Sequence, residues 1–414
     1  MLLNKKTSGV KNEMNLQEPD GWFTHMFPNT KSGQRVTEES SFRTSEIYSC
    51  VAVLADDIAK YPVSLHQKQD GRVTKLREHQ NHAVVHHRPN KLMTPFVWKR
   101  LMETHMDLWG NAYSIINFHM NGDVKEIIPL HPAQTAVDLD ETTNKVTYYS
   151  VVNGRYLKIQ PYRMLHFKSL SLDGIVGRSP IQVIRENLGT NISANEYQSS
   201  FFANGGMPRG MLKSSELINS ENKKKMRQSW KEVNDNEDIA IVDGAMDFQT
   251  ISVPQKDSEF IETMKYNKLQ IAGIYKVPPH KVNELDRSTF SNIEHQSMEY
   301  IKNTIQPKVT NYEEEMNTKL LTEQDRKNGM YYKFNLESEL RADSKTRAEF
   351  YEIMMRVGGI SINTINELEE QEKIDEELGD MRFGNLNLVP LDLMREYQKN
   401  KAGVPDSTKG GENE

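Results

Sequence analysis

Two long stretches of helical periodicity, residues 179–204 and 257–276, bracket a shorter module of different character, and this arrangement constrains the fold more than any other feature. In the first stretch Ser179 and Pro180 form an N-cap and first-turn pair. Ile181, Ile184, Leu188 and Ile192 then recur on one face until Gly205-Gly206. At about 1.5 Å per residue such a helix is on the order of 35 Å long, more than a small domain can wrap on all sides. The second stretch starts at Asp257 or Ser258 and stops before Pro278. The intervening module, 207–255, reads as a strand (GMLK), a basic helix around Lys223-Lys224-Lys225 with Arg227 and Trp230, and strands within EDIAIVDGAMDFQTISV.

The region before these helices mixes both periods. SEIYSCVAVLADDIAKYPVSLH carries Ile47, Val51, Leu54 and Ile58 at helical spacing, and VSLHQKQDGRVTKL reads as a hairpin around Asp70-Gly71. A turn at HHRPN leads to a second helix, TPFVWKRLMETHMDLWG, stopped by Gly110. Residues 111–168 alternate apolar stretches with Asn121-Gly122 and Asn153-Gly154 and predict a meandering antiparallel sheet. After Pro278 a third long helix opens on Ser291 and Glu294 as a capping box. Its face is Ile301, Ile305, Val309, Tyr312, Met316 and Leu320, and Pro307 predicts a kink. Further helices follow, the first broken by Gly358-Gly359 and the acid-rich second opened by Thr364 and Glu367. Segregated helices and antiparallel strands make the class α+β. Residues 1–40 read as a flexible arm and 398–414 as a disordered tail.

Composition narrows the function. Of 414 residues 36% are hydrophobic and 27% charged, a balance suited to an elongated molecule or an assembly subunit. No apolar run approaches the roughly 18 residues of a membrane span, and MLLNKKTSGVKNEMN lacks the apolar core of a signal peptide. One cysteine, Cys50, allows no internal disulfide or thiolate cluster and suggests a reducing compartment. Fifty-two basic against 58 acidic residues give a net charge of −6, which argues against a generic nucleic-acid binder.

Chemistry is sparse. No P-loop, dinucleotide-binding glycine motif, HExxH or GxSxG is present. His86-His87 beside Pro89-Asn90 reads as a surface turn, and Asp138, Asp140 and Glu141 as a solvated hairpin loop. Cys50 falls among apolar residues and reads as an inert buried thiol. His280, Glu284, Asp286 and His295 form the best metal-type set, yet flexible-loop ligands need a supporting shell for which the sequence gives no sign. No catalytic, cofactor or metal site is therefore expected.

The order of several segments resembles the portal (head-to-tail connector) proteins of tailed bacteriophages, in the long-tailed branch. The carrying stretches are SEIYSCVAVLADDIAKYPVSLHQ, the HRPNKLMTPFVWKRLMETHMDLWGNAYSIINF run, MLHFKSLSLDGIVGRSPI, FFANGGMPRGML, LQIAGIYKVPPHKVNELDRSTFSNIEHQ and ADSKTRAEFYEIMMRVGGISINTINELEE, over roughly 40–395. The chain departs from the family at INELEEQEKIDEE, acidic where relatives often carry an arginine after the Asn-Glu pair.

The resemblance implies a wing (41–178), a first stem helix (179–206), a clip (207–255) and a second stem helix (256–277). A tunnel loop (278–290), a kinked wing helix with a strand (291–340) and crown helices (341–397) complete it. It also implies a non-enzymatic ring, typically of twelve copies, at one capsid vertex of a virion assembled in the bacterial cytoplasm. Double-stranded DNA would pass through the ring during packaging and ejection. Implied partners are the terminase large subunit, which would hydrolyse the ATP, the major capsid and scaffold proteins, and a head-completion adaptor. Val282, Asn283, Glu284, Leu285, Asp286 and Arg287 would line the channel; Lys223, Lys224, Lys225, Arg227 and Trp230 would dock the motor or adaptor. The competing readings are a divalent-metal-dependent phosphodiesterase using 280–295, and another head–tail adaptor.

Overall fold

A computed structural model describes residues 30–140, 142–152, 154–203, 210–214, 219–225, 228, 246–250, 257–284, 296–336, 344–369, 371–374 and 377–383. The chain divides into two compact units, meeting between Phe334 and Asn335.

The first unit opens with packed chain. Thr30 and Val36 are buried, and helix α1 (Glu38–Ser41) begins at a Thr37–Ser40 capping box. Residues 30–40 are thus part of the folded unit, a correction to the arm read from their polarity, because short polar side chains here satisfy backbone groups. Helix α2 (Ser45–Lys60) buries Ile47, Val51, Leu54 and Ile58 as its periodicity requires. Strands β1 (Val63–Gln69) and β2 (Arg72–Lys75) form the expected hairpin, with Asp70 and Gly71 both at positive φ.

Helix α3 (Gln80–His86) occupies part of the stretch read as a turn. Its N-cap is a histidine ring, His79 Nδ1, accepting from Asn81 N–H. His86 bonds the Val63 carbonyl through Nδ1 and stacks on buried His82, so it is structural rather than part of a surface turn. Helix α4 (Pro95–Trp109) starts at Thr94 and ends at Gly110, φ +76. A Cβ at Gly110 would lie 2.4 Å from the Arg178 carbonyl carbon, so only glycine fits.

Strands β3 (Asn111–Phe118) and β4 (Val124–Leu130) pair directly. Then β5 (Thr135–Asp140), β6 (Lys145–Val152) and β7 (Arg155–Ile159) form their own three-stranded sheet. Strand β8 (Met164–Lys168) returns to β3. The predicted single meander is therefore two antiparallel sheets. Tyr113, Leu130, Tyr148, Ile159 and Met164 pack into one cluster that joins them.

Helix α5 (Pro180–Ala203) starts where Ser179 Oγ accepts from Gln182 N–H and donates to the Leu108 carbonyl. Strands β9 (Gly210–Ser214) and β10 (Met246–Thr250) pair antiparallel between it and α6 (Asp257–Ile274). Asn187 bonds Gln270 and Asn267 bonds Asn191, each at 2.6 Å, so α5 and α6 run antiparallel, side by side. The proposed Ser291 capping box lies outside the described residues.

The third long helix is continuous from residue 296. A π turn at Ile301–Ile305, in which Gln306 N–H reaches the Ile301 carbonyl, precedes α7 (Gln306–Lys319). Pro307, which cannot donate to an i−4 carbonyl, follows this turn directly. Val309, Tyr312, Met316 and Leu320 are buried. After α8 (Glu323–Lys327), strand β11 (Met330–Phe334) closes the unit by pairing with β1.

In the second unit, α9 (Ser344–Arg356) is stopped by Gly358, φ +71. Helix α10 (Ile362–Leu368) is capped by Ser361, whose Oγ accepts from Thr364 N–H. Thr364, read as the opening residue, thus stands three positions inside. Asn363 joins this helix to Ile374 and to Asp380 of a last turn, α11 (Glu377–Asp380).

Candidate functional site

The stretch that follows α6 builds an anchored base for residues 285–295, which themselves lie outside the described chain. Lys276 takes positive φ, Pro278 ends helical progression, and a short 3-10 turn (Pro279–Val282) is closed by Asn283 in the left-handed region. Val277 N–H reaches back to the Ala272 carbonyl and Glu284 N–H to that of Pro279. Thr304 donates to the Lys276 carbonyl at 2.9 Å, so the returning helix clips the end of the outgoing one.

Side chains lock both roots. Asp57, buried on α2, accepts from Lys281 at 2.8 Å and from the Tyr300 hydroxyl at 2.9 Å through the same oxygen, Oδ2. Its Oδ1 takes Lys60 at 2.8 Å. Burial opposes ionisation of Asp57, but the hydrogen bonds and charges of Lys281 and Lys60 outweigh it and hold the carboxyl below its ordinary range. Burial, reinforced by the Asp57 charge, pushes the Tyr300 phenol far up, so Tyr300 serves as a neutral donor. The His280 ring adds two bonds, Nδ1 to Gln296 Oε1 at 3.1 Å and Nε2 to Ser297 Oγ at 3.3 Å. Glu284 pairs with Lys268 of α6 at 3.1 Å.

Beneath this base lies a second ionic hub. Lys308 of α7 reaches Glu103 and, at 2.7 Å, Asp107, both on α4. Tyr312 donates to Glu103 Oε2 at 3.0 Å, and Tyr275, just past α6, donates to the Asp107 carbonyl at 3.0 Å. Two carboxylates against one ammonium hold Lys308 protonated against its burial. Burial pushes the Asp107 carboxyl up, with Lys308 pulling it back. Its Oδ2 finds no hydrogen-bond partner among the described residues. Through the Asp57 site and this hub, the outgoing helix, the returning helix, α2 and α4 are joined around buried charge.

These contacts account for the two described members of the metal-type set. His280 and Glu284 are engaged structurally, while Asp286 and His295 lie outside the described residues. Among the described residues no group of three or more His, Cys, Asp or Glu side chains is arranged to hold a metal. Burial raises the Cys50 thiol to about 12, which keeps it protonated and unreactive. Asp140 is exposed and bonded by Thr142 and Thr143, closing its hairpin; Glu141 is outside the described residues.

Of the six residues expected to line a channel, Val282 is 7% exposed and packs inward, so it anchors the root instead of facing out. Asn283 is exposed, Glu284 is half-buried in its ion pair, and Leu285, Asp286 and Arg287 lie outside the described residues. Lys223, Lys224 and Lys225 are exposed on a helical turn at 220–225, Lys225 pairing with Glu221 at 3.2 Å. Arg227 and Trp230 lie outside the described residues. Sequence reasoning missed Asp57, Lys281, Tyr300 and the hub. The available signal was a charge on an apolar face: Asp57 falls three residues after Leu54, and Glu103 three before Met106.

Comparison with known proteins follows the same outline. The chain is 25% identical over 365 residues to the portal protein of Enterobacteria phage HK97, covering 86% of this chain and 85% of that one. To the probable portal protein of Streptomyces phage phiC31 it is 24% identical over 371 residues, covering 86% and 81%. Its fold matches a HK97 family phage portal protein from Corynebacterium diphtheriae with a TM-score of 0.56, at 14% identity over 74% of this chain and 97% of that one. A chain in the neck of an empty gene transfer agent particle, computed with C6 symmetry, matches at 0.58 with 19% identity over 84% and 96%. A chain in the native particle's neck, computed with C12 symmetry, matches at 0.52 with 18% identity over 81% and 93%. The family model for phage portal protein spans residues 45–370, from the start of α2 past the end of α10, and the chain belongs to that family.

Proposed function

We propose that copies of this chain close into a ring, of the twelvefold symmetry applied to one neck assembly it resembles, at a single vertex of a phage capsid. Genome DNA enters and leaves through the central channel. On this reading α5 and α6 form the stem, the β9–β10 module forms the clip, and the folded region around α2, α4, α7 and both sheets forms the wing. The second unit supplies the crown. The stretch from Asn283 through 285–287 lines the channel, on the doubly rooted base formed by Asp57, His280 and Lys268. That base is the observation that carries the reading. An element meeting moving DNA must transmit load, and here both of its ends are tied to the same rigid helices.

The role is mechanical. Net charge of −6 suits a conduit, since each added phosphate contact would deepen the well from which a motor must pull the DNA. Exposed Lys223 and Lys224 offer a basic face to a terminase or adaptor, and capsid and scaffold proteins would surround the wing. The metal-dependent phosphodiesterase reading has no support, because His280 and Glu284 are committed to Gln296, Ser297 and Lys268. Light scattering on the purified chain tests the proposal: a particle of roughly a dozen subunits is expected, and a stable monomer at micromolar concentration contradicts it.

A further inference from the structure

We propose that Asp57 is the positioning residue that makes the two roots of segment 285–295 move as one. The inference rests on the channel reading for its purpose but not for its geometry. Lys281 precedes the segment and Tyr300 follows it, and both end on one oxygen of one carboxylate. Separate anchors would let each root open alone. A shared anchor does not: withdrawing Lys281 leaves a buried anion facing fewer donors, and withdrawing Tyr300 does the same. The roots also touch each other, since the Lys281 ammonium lies 4.6 Å from the centre of the Tyr300 ring. His280, bonded to Gln296 and Ser297, adds a second cross-link one residue away.

Asp57 itself sits on α2, which the Asp56–Arg100 pair (2.7 Å) ties to α4. A push on the segment is therefore delivered to α2 through both roots at once, and from there to the helix that carries Glu103 and Asp107. Asp57 has no part in any chemistry; it works through Lys281 and Tyr300.

The experiment is hydrogen exchange by mass spectrometry on the full-length protein, comparing wild type with Asp57→Asn, Lys281→Met and Tyr300→Phe. Asp57→Asn should speed exchange about tenfold in both 277–284 and 296–300, with the β3 and β8 amides unchanged. The decisive arm is crossed: Lys281→Met should loosen 296–300, and Tyr300→Phe, which removes only a hydroxyl, should loosen 277–284. A purely local role would loosen only the root that carries the substitution, and that result overturns the proposal. A uniform rise across the wing overturns it too. Failure of the wild type to form rings would remove the channel reading, yet the crossed exchange would still decide the coupling.

Discussion

Lys308 neutralises Glu103 and Asp107 at a point where water is excluded, so its loss leaves two buried carboxyls without a counter-ion. Lys308→Met should cost about 3–5 kcal/mol, and Tyr312→Phe, which strips one donor from Glu103, about 1–3 kcal/mol. Urea denaturation of both variants measures this; equal stability of Lys308→Met and wild type would contradict it. Acid sensitivity has a different residue origin. Burial, aided by the charge of His131, pushes His105 down to about 3, and burial, aided by Lys168 and Lys319, does the same to His166. Above about pH 6.5 these imidazoles are neutral both folded and unfolded. Below it the unfolded chain takes up protons that the folded chain refuses until about 3. Stability should fall across that window, by up to about 1.4 kcal/mol per pH unit for each ring. Urea midpoints at pH 7 and pH 5 test the fall, and His105→Gln with His166→Gln should flatten it. Asp57 behaves oppositely: with its carboxyl held low, its contribution is complete above the ordinary Asp range and is lost only in stronger acid. Such hubs are hard to see in a sequence, since an isolated Asp or Lys at an apolar helix position looks like a solvated edge until its distant partners are known.

At the scale of elements, local signals carried far. The Thr94 cap and Gly110 stop delimit α4, the Asp70-Gly71 turn sets the β1–β2 register, and Asp257 opens α6. Elements that depend on distant chain were not legible. Strand β11 pairs with β1 in a Phe334↔Val63 register that no local period encodes, and β8 skips four strands to reach β3. Helix α3 escaped because a histidine, not Ser, Thr, Asp or Asn, caps it. The loop between β8 and α5 shows how an element serves an assembly. Asp173 Oδ1 accepts from Ile175 and Val176 N–H, Ser171 donates to the Val176 carbonyl, and Asn111 bonds both Gly177 N–H and its carbonyl. That scaffold holds Leu170 and Leu172 outward, 84% and 83% exposed, where they add nothing to their own core. In the proposed ring they would be free to pack on the neighbouring copy. The double variant Leu170→Asp, Leu172→Asp should keep its circular dichroism and melting temperature but fall from rings to single chains in gel filtration. Intact rings would contradict this assignment.

For the whole molecule, the long helix pair α5 and α6, with exposed apolar residues such as Val183, Tyr197 and Tyr266, suits a subunit completed by its neighbours. Its acidic balance suits passage of DNA over capture of it. The sequence made the portal resemblance legible through ordered segments rather than any single motif. The anchored loop base emerged only when α2, α6 and α7 were placed in space. The most direct measurement is a cryo-electron reconstruction of the assembled protein, reading the radial position of Glu284 and Gln296. The expected result is a closed ring in which these residues, from every copy, encircle the narrowest part of the central channel. A ring that carries them on its outer rim, or no closed ring at all, would contradict it.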